Sequence, residues 1–235
     1  PPSADAWFGR DRQGFDVYAR AIYGTRISLI VGILATLGTT LVGGFVGILT
    51  GYYGGWLDSV LSRVGDLFLG LPFILGAVVL LSAFAGPRKD PSTVTIVGLV
   101  VGALILFGWP PFARIMRSSV ISAKQADYVQ AARALGAGSG RIIFRHLLPN
   151  CLAPTIVYAM ISLGAYIGAE ATLSYLGIGL RYPVVSWGVM ISDAQPFLQT
   201  APYILLFPSL FLSITVLSFV MLGDAVREAL DPKLQ

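Results

Sequence analysis

Long stretches without a charged residue constrain this chain more than any other feature. Five of them cover residues 27–57, 67–87, 91–113, 147–169 and 194–223. A helix that crosses the hydrocarbon core of a bilayer needs about 20 mostly apolar residues, and each run is long enough. Only 12% of the 235 residues are charged, against about 25% in soluble domains. Because so little polar surface could not shield five apolar helices from water, the sequence predicts an all-α membrane protein with five spanning helices.

Basic residues predict which segments face the cytoplasm. Between positions 114 and 145, the single acid Asp127 stands against six basic residues: Arg114, Arg117, Lys124, Arg133, Arg141 and Arg145. Cytoplasmic loops carry such an excess, so we place this loop inside. By alternation, the inside segments are 53–66 and the residues after 223, and the outside segments are 1–26, 86–90 and 174–199. An external Pro1 requires an earlier crossing, so a sixth helix is expected upstream of residue 1.

These assignments divide the chain into three predicted parts. They are an external segment at 1–26, a transmembrane domain at 27–225 and a cytoplasmic tail at 226–235. Alternating apolar and charged residues over 15–26 predict a short amphipathic helix. The transmembrane domain includes a cytoplasmic loop at 116–148 and an external cap at 174–200, in which one or two short helices are expected.

Glycine and proline positions predict how the spans pack. Gly43, Gly47 and Gly51 recur every four residues, as do Gly164 and Gly168. This spacing aligns bare backbone on one helix face and lets a neighbouring helix come close. Prolines at positions 72, 110, 111, 154 and 208 predict kinks or helix ends.

The cytoplasmic loop begins with signals for a short helix. Asp127 followed by Gln130 three residues later is the pattern of a capping box. We therefore predict a helix over 128–135 with Asp127 as its N-cap. Gly136 supplies the left-handed residue on which such a helix ends.

The second half of this loop predicts another helix and an apolar patch. Ser139 would cap an amphipathic stretch over 141–148, and Pro149 would open the next span. An apolar set occupies 142–144, and three alanines keep the surface of the first helix flat. A solvated connector needs neither feature, so we interpret the loop as a docking surface for a soluble partner.

The same loop resembles a known family. Its stretch Q-A-A-R-A-L-G-A-G-S-G-R-I-I-F-R-H-L-L-P is similar to the E-A-A…G…L-P loop of permease subunits of bacterial ATP-binding-cassette (ABC) importers. The matching residues are Ala131, Ala132, Gly136, Leu148 and Pro149, and Gln130 stands where the family usually has Glu. The stretches Y-G-T-R-I-S-L at 23–29, G-Y-Y-G-G-W at 51–56, A-E-A-T-L-S-Y-L-G-I-G at 169–179 and G-D-A-V-R-E-A-L-D-P-K-L at 223–234 resemble the dipeptide/oligopeptide branch and its C-type permease.

This resemblance implies a type I ABC importer permease in the bacterial cytoplasmic (inner) membrane that translocates peptides. Such a permease pairs with a second permease, two cytoplasmic ATP-binding subunits and an extracytoplasmic peptide-binding protein. ATP and Mg²⁺ bind to the ATPase subunits, and neither a cofactor nor a metal is expected in this chain. The loop would dock in a groove on one ATPase and transmit its motion. In agreement, the chain contains no G-x-x-x-x-G-K-[ST] phosphate-binding loop.

The resemblance and the loop pattern together nominate a set of coupling residues. They are Asp127, Gln130, Ala131, Ala132, Arg133, Leu135, Gly136, Ile143, His146, Leu148 and Pro149. Arg133 is interpreted either as a partner-facing group or as an ordinary cytoplasmic charge. His146 is interpreted as an anchor of the loop, because no second metal ligand or catalytic partner lies near it in sequence.

Four polar residues inside the apolar runs are candidates for a substrate pathway. Glu170 is the only acid well inside them, and an intramembrane acid is a functional candidate by default. It is interpreted either as a structural hydrogen-bonding group or as part of a peptide pathway. Thr36, Thr39 and Thr40 would line a polar path or bond to their own helix backbone.

Other function classes fit the residues less well. No catalytic cluster of Ser, His and Asp or of paired carboxylates is found, so no enzyme active site is predicted. Nucleic-acid binding is not expected, because the chain has no polybasic run, whereas membrane lipid is an expected neighbour. An ion-gradient-driven secondary transporter would need several ionisable groups at mid-bilayer. A non-transporting membrane scaffold would keep the docking loop without a pathway, and both alternatives stay open at this point.

Overall fold

The structure is a computed structural model that describes residues 2–4, 6–85 and 92–230. Over this part of the chain it is helical and contains no β-strand. The helices are α1 (Val17–Tyr53), α2 (Gly55–Gly70), α3 (Phe73–Ala85), α4 (Thr93–Ala123), α5 (Asp127–Ala134), α6 (Ser139–Arg141), α7 (Leu148–Tyr175), α8 (Trp187–Ala194) and α9 (Tyr203–Leu230). A π-helical segment at Ile142–Leu147 joins α6 to α7, and a 3₁₀ turn at Gln195–Phe197 follows α8.

Four helical segments are long and apolar enough to cross a membrane. They are α1, α4, the segment Ser139–Tyr175 and α9. Helices α2 and α3 add a fifth if they count as one broken span, with an angle of 88° between them. The break falls at Leu71 and Pro72, where proline cannot continue the hydrogen-bond ladder. The predicted all-α membrane protein is confirmed, with four to five apolar spans where five were predicted.

The segment that follows α1 is a helix, and the predicted cytoplasmic side of 53–66 stays a prediction. Gly54 and Gly55 have φ of +67° and +61° and separate α1 from α2. In α2, Asp58, Ser62 and Asp66 recur every four residues and therefore share one face. An amphipathic helix carries these charges, although their density in the sequence is typical of a loop.

The predicted short amphipathic helix at 15–26 is not a separate element. Asp16 caps the start of α1 by accepting hydrogen bonds from the backbone N–H groups of Tyr18 (2.8 Å) and Ala19 (3.4 Å). From Val17 the helix continues unbroken for 37 residues. The amphipathic stretch thus forms its first turns, and Gly24 within it does not break the helix.

The other predicted segments have mixed outcomes. The cap at 174–200 contains α8 and the 3₁₀ turn, which confirms the short helices expected there. Helix α9 reaches Leu230, so the boundary predicted at 226 lies within a helix. The predicted external segment 86–90 and the end of the predicted tail, 231–235, lie outside the described residues.

Compactness divides the chain into two units. Unit A comprises Pro1–Ala35, Ile74–Leu104 and Ser162–Val220, and unit B comprises Thr36–Phe73, Ile105–Ile161 and Met221–Gln235. The core of unit A includes a cluster of buried apolar residues: Val17, Ala21, Met190, Ala194 and Ile204. The ring of Phe8 stacks on that of Phe207 beside this cluster, with centroids 3.8 Å apart.

Unit B contains the row of glycines Gly43, Gly47 and Gly51, which we call the glycine seam. A Cβ atom on Gly43 would lie 2.5 Å from the carbonyl oxygen of Trp109, and one on Gly47 would lie 2.6 Å from that of Ala113. On Gly51 it would lie 2.9 Å from the carbonyl oxygen of Arg117. The predicted close packing is confirmed, and the neighbour is α4.

The glycines of α7 differ from each other. A Cβ on Gly164 would lie 3.1 Å from the carbonyl oxygen of Val216 in α9, and both residues belong to unit A. A Cβ on Gly168 would meet no atom of the described residues within 4 Å. The packing prediction therefore holds for Gly164, and for Gly168 it stays a prediction.

Candidate functional site

The loop between α4 and α7 forms an elbow, by which we mean residues 127–149. Its first helix is α5, which begins one residue earlier than predicted. Ala126 is the N-cap, with extended backbone and no side-chain hydrogen bond, and Asp127 is the first helical residue. The side chain of Gln130 donates towards the carbonyl oxygen of Lys124 at 3.5 Å. The predicted capping box is therefore wrong, although Asp127 still lies at the positive end of the helix dipole.

Helix α5 ends as predicted at Gly136. This residue has φ +79°, a left-handed conformation that favours glycine. Its N–H donates to the carbonyl of Arg133 at 2.9 Å, and the N–H of Ala137 donates to that of Ala132 at 3.0 Å. These two bonds form a Schellman motif, which satisfies carbonyl groups at the helix end. The turn is consequently set by backbone geometry.

The second half of the elbow runs without interruption into a spanning helix. Gly138 is the N-cap of α6, so the predicted Ser139 cap is wrong. The π-helical segment Ile142–Leu147 follows, and Pro149 is the second residue of α7 and does not open a separate span. Proline has no N–H to bond the carbonyl four residues earlier and its ring crowds that group. The wider π turn accommodates this conflict.

A buried apolar cluster packs against the elbow. Its members are Met116, Val120, Val129, Ile142, Ile143, Leu147 and Cys151. They come from α4, α5, the π segment and α7, all within unit B. The elbow is thus packed against the helices that it connects and is not a loose connector.

The nominated coupling residues divide between this core and the surface. Ala132 and Ile143 are buried, and His146 and Leu148 are partly buried. The exposed set is Asp127, Gln130, Ala131, Arg133, Leu135, Gly136 and Pro149. Leu135 is 88% exposed, and Phe144, which was not nominated, is 71% exposed. Two large apolar side chains therefore project from the elbow.

Basic and aromatic side chains join the elbow to the end of α1. The Nζ of Lys124 donates to the carbonyl oxygen of Tyr52 at 2.9 Å, where the last carbonyls of α1 lack helical partners. The guanidinium of Arg133 lies 5.8 Å from the ring centroid of Tyr52. His146 lies against the ring of Tyr128, with centroids 6.4 Å apart. These contacts agree with an anchoring role for His146 and give Arg133 a partner within its own chain.

Two ion pairs between α2 and α4 were missed by the sequence analysis. Arg117 makes a bidentate contact with Asp58, with Nε–Oδ1 at 2.6 Å and NH2–Oδ2 at 2.7 Å. Arg114 contacts Asp66 at 2.6 Å. They border a cavity of about 400 Å³ that is also lined by Trp109. The recurrence of acids on one face of α2 and of arginines on α4 was the available signal.

Glu170 is fully buried and is the centre of a polar network in unit A. Its carboxylate accepts hydrogen bonds from Ser174 (2.8 Å), Ser186 (2.9 Å) and Ser28 (3.4 Å). Ser186 is the N-cap of α8 and accepts from Val189 N–H. We call Ser28, Glu170, Ser174 and Ser186 the serine hub.

The hub also holds the backbone of the external cap. The Oγ of Ser174 accepts from Leu180 N–H at 3.0 Å, and the Oγ of Ser28 accepts from Trp187 N–H at 3.2 Å. Each serine thus connects the buried carboxylate to a backbone N–H group. This geometry supports the structural interpretation of Glu170, and its role in a peptide pathway stays a prediction.

The three threonines of α1 lie in unit B. Thr36 and Thr39 are buried and Thr40 is partly buried. The hydroxyl of Thr39 donates to the carbonyl oxygen of Thr36 at 3.0 Å. The buried hydroxyls of Thr36 and Thr40 have no hydrogen-bond partner among the described residues. A buried hydroxyl without a hydrogen-bond partner costs about 1–3 kcal/mol. The assignment of these threonines to a polar path stays a prediction.

No group of three or more His, Cys, Asp or Glu that could hold a metal ion occurs within the described ranges. The prominent features are therefore a rigid elbow with apolar tips, a glycine seam and a buried polar hub. All three features connect the helices of a membrane protein or hold them together.

The sequence of this chain is similar to that of a known family. The family described as "Binding-protein-dependent transport system inner membrane component" matches residues 43–235. The chain belongs to this family. The family description names an inner membrane component, which confirms the predicted location of this chain.

Relatives within the family are named as peptide permeases. The dipeptide transport system permease protein DppC of Alkalihalophilus pseudofirmus is 42% identical over 234 residues, which cover 100% of this chain and 74% of that protein. The glutathione transport system permease protein GsiD of Pectobacterium atrosepticum is 38% identical, covering 100% and 75%. The oligopeptide transport system permease protein OppC of Bacillus subtilis is 37% identical, covering 100% and 74%. The predicted branch is confirmed.

Solved structures show the same fold at low sequence identity. An amino acid ABC transporter chain has a TM-score of 0.67 at 16% identity and covers 91% of this chain and 95% of its own. The MetNI methionine ABC transporter in an inward-facing conformation has a TM-score of 0.67 at 19% identity, covering 90% and 96%. The predicted type I ABC importer permease fold is confirmed.

Proposed function

We propose that this family member is one of two permease subunits of an ATP-driven importer whose cargo is peptides. The peptide class is supported by relatives named for dipeptide, oligopeptide and glutathione transport. Its partners would be a second permease, two cytoplasmic ATPase subunits that bind ATP and Mg²⁺, an extracytoplasmic peptide-binding protein and membrane lipid. This chain would supply part of the path and the contact that receives mechanical work.

The observation that carries the proposal is the exposure of Leu135 and Phe144 on an elbow that packs against a buried apolar cluster. Burying such a side chain stabilises a complex by about 2 kcal/mol, so two of them on the elbow favour a partner surface. Large exposed apolar groups on a rigid support are typical of interaction sites. A soluble ATPase groove would cover them.

The elbow is built to transmit a displacement. The Schellman turn at Gly136 and the buried cluster beneath it resist local deformation. The π segment joins the elbow to α7 without a break, so motion of a docked ATPase would move that helix. Close-packed interiors transmit such displacements because they are poorly compressible.

The test is reconstitution of the full complex in liposomes with the ATPases, the second permease and the binding protein. Leu135→Asp should reduce ATP-dependent peptide uptake by more than tenfold, since a charge would enter the docking groove. It should leave membrane insertion unchanged. Leu198→Asp is the matched control, because Leu198 is also an exposed leucine (53%) but belongs to the predicted external cap, and it should transport normally.

Other outcomes decide between function classes. Uptake driven by a proton or sodium gradient without ATP would identify a secondary transporter instead. No uptake with every partner present would identify a scaffold. Normal uptake by Leu135→Asp, with no crosslink from the elbow to an ATPase, would refute the coupling assignment.

A further inference from the structure

A cavity of about 330 Å³ in unit A carries chemistry that neither the elbow nor the hub uses. Its apolar lining includes Val17, Met190 and Ile204, which belong to the buried cluster of that unit. Its volume is at the lower end of the range of small-molecule sites, about 300–1,000 Å³. The cavity therefore suits a ligand of one or two amino-acid residues with an apolar side chain.

Two carboxylates on the cavity wall share one guanidinium. Arg20 forms a close ion pair with Asp11 and a longer contact of 3.8 Å with Asp193. The side chain of Asp11 is mostly buried, whereas that of Asp193 is 55% exposed. With Arg12, which also lines the cavity, these groups have no net charge, but Arg20 lies closer to Asp11 than to Asp193. Burial raises the pKa of Asp193, Arg20 opposes this effect, and the charge of Asp11 adds to it. A cation beside Asp193 would stabilise the charged form of this weakly paired carboxylate.

A second arginine lies at the same cavity and is held differently. The guanidinium of Arg12 lies 4.5 Å from the ring centroid of Phe197 and is exposed. It forms no ion pair with any acid among the described residues. Stacking on an aromatic face leaves the edge donors of a guanidinium available, and these donors match a carboxylate.

We propose that this cavity binds the amino-terminal end of a short peptide. The ammonium group would lie beside Asp193, and the first side chain would occupy the apolar lining. In a dipeptide the terminal carboxylate would pair with Arg12. The inference rests on the proposed function, because it deepens the recognition of the same cargo. It assigns to the permease itself a selectivity for free peptide termini.

The test measures binding to the assembled complex in lipid nanodiscs without the binding protein. The probes are the dipeptide of two leucines and its N-acetyl derivative. Charged hydrogen bonds are worth enough that acetylation should weaken binding about tenfold in the unaltered complex. In Asp193→Asn the two probes should differ by less than about twofold, because the carboxylate that selects the ammonium is gone. Because Asp193 is half exposed, the variant should melt at the unaltered temperature.

Matched variants complete the experiment. Glu228→Gln removes an exposed acid outside the cavity and should keep the tenfold preference. Arg12→Ala should weaken binding of the dipeptide but not binding of its C-terminal amide. Arg63→Ala changes an exposed arginine outside the cavity and should weaken binding of neither probe. Equal binding of both leucine probes by the unaltered complex, or a preserved preference in Asp193→Asn, would overturn the proposal. If the cavity proposal fails in this way, ATP-driven dipeptide uptake would still support the proposed function. Absent uptake would refute both the cavity proposal and the proposed function.

Discussion

In unit A the helices meet around a buried carboxylate, whereas in unit B they meet along a row of glycines. The serine hub uses directional hydrogen bonds from neutral donors to satisfy Glu170. The glycine seam uses bare backbone against α4, and backbone atoms of α4 are among the nearest to each of its three glycines. Within a bilayer both solutions are effective, because apolar side chains gain little from leaving lipid for protein. The difference predicts unequal sensitivity to substitution.

The largest effect is expected at the centre of the hub. Glu170→Ala should lower the free energy of unfolding by about 3 kcal/mol, since it leaves serine hydroxyls without an acceptor and creates a cavity. Unfolding by SDS titration in mixed micelles measures the change. Glu170→Gln is the conservative control, because it keeps an acceptor oxygen and the volume, and it should recover at least half of the loss. An alanine variant as stable as the unaltered protein would show that the hub does not hold unit A together.

An intermediate effect is expected at the seam. Gly43→Ala should cost about 2 kcal/mol more than Gly44→Ala, because overpacking forces backbone to shift. A Cβ on Gly43 would lie 2.5 Å from a backbone oxygen, whereas one on Gly44 would lie 3.8 Å from the flexible end of Met116. Both changes gain the same helix propensity, so the difference isolates the close approach. Equal stabilities in the same SDS titration would contradict the seam.

The smallest effect is expected for the ion pair between α2 and α4. A double-mutant cycle with Asp58→Asn and Arg117→Gln should give a coupling energy of about 1 kcal/mol. The side chain of Arg117 is 37% exposed, so water screens the pair despite its bidentate geometry. The coupling should fall as salt is raised. A coupling energy larger than the loss expected for Glu170→Ala would contradict the ranking, in which the hub of unit A has the larger effect.

The elbow illustrates how far local signals reach. Its ending at Gly136 was predicted, because a left-handed helix end depends on a few neighbouring residues. Its caps at Asp127 and Ser139 are each predicted one residue too late, since the N-caps in the structure are Ala126 and Gly138. The burial of Ile143 and the exposure of Phe144 were not separable in sequence, because the π turn changes the helical period there.

Local sequence determined that this chain is helical, that it crosses a membrane and that it belongs to a peptide-permease branch. Those conclusions depend on the length of apolar runs and on short motifs, both of which are readable along the chain. Only the tertiary structure decided that Ser28, Ser174 and Ser186 meet at Glu170, and that α2 is a helix whose acids face arginines of α4. Ser28 and Glu170 are 142 positions apart. Such contacts arise from how whole helices pack, and no local pattern records which distant residue will lie opposite.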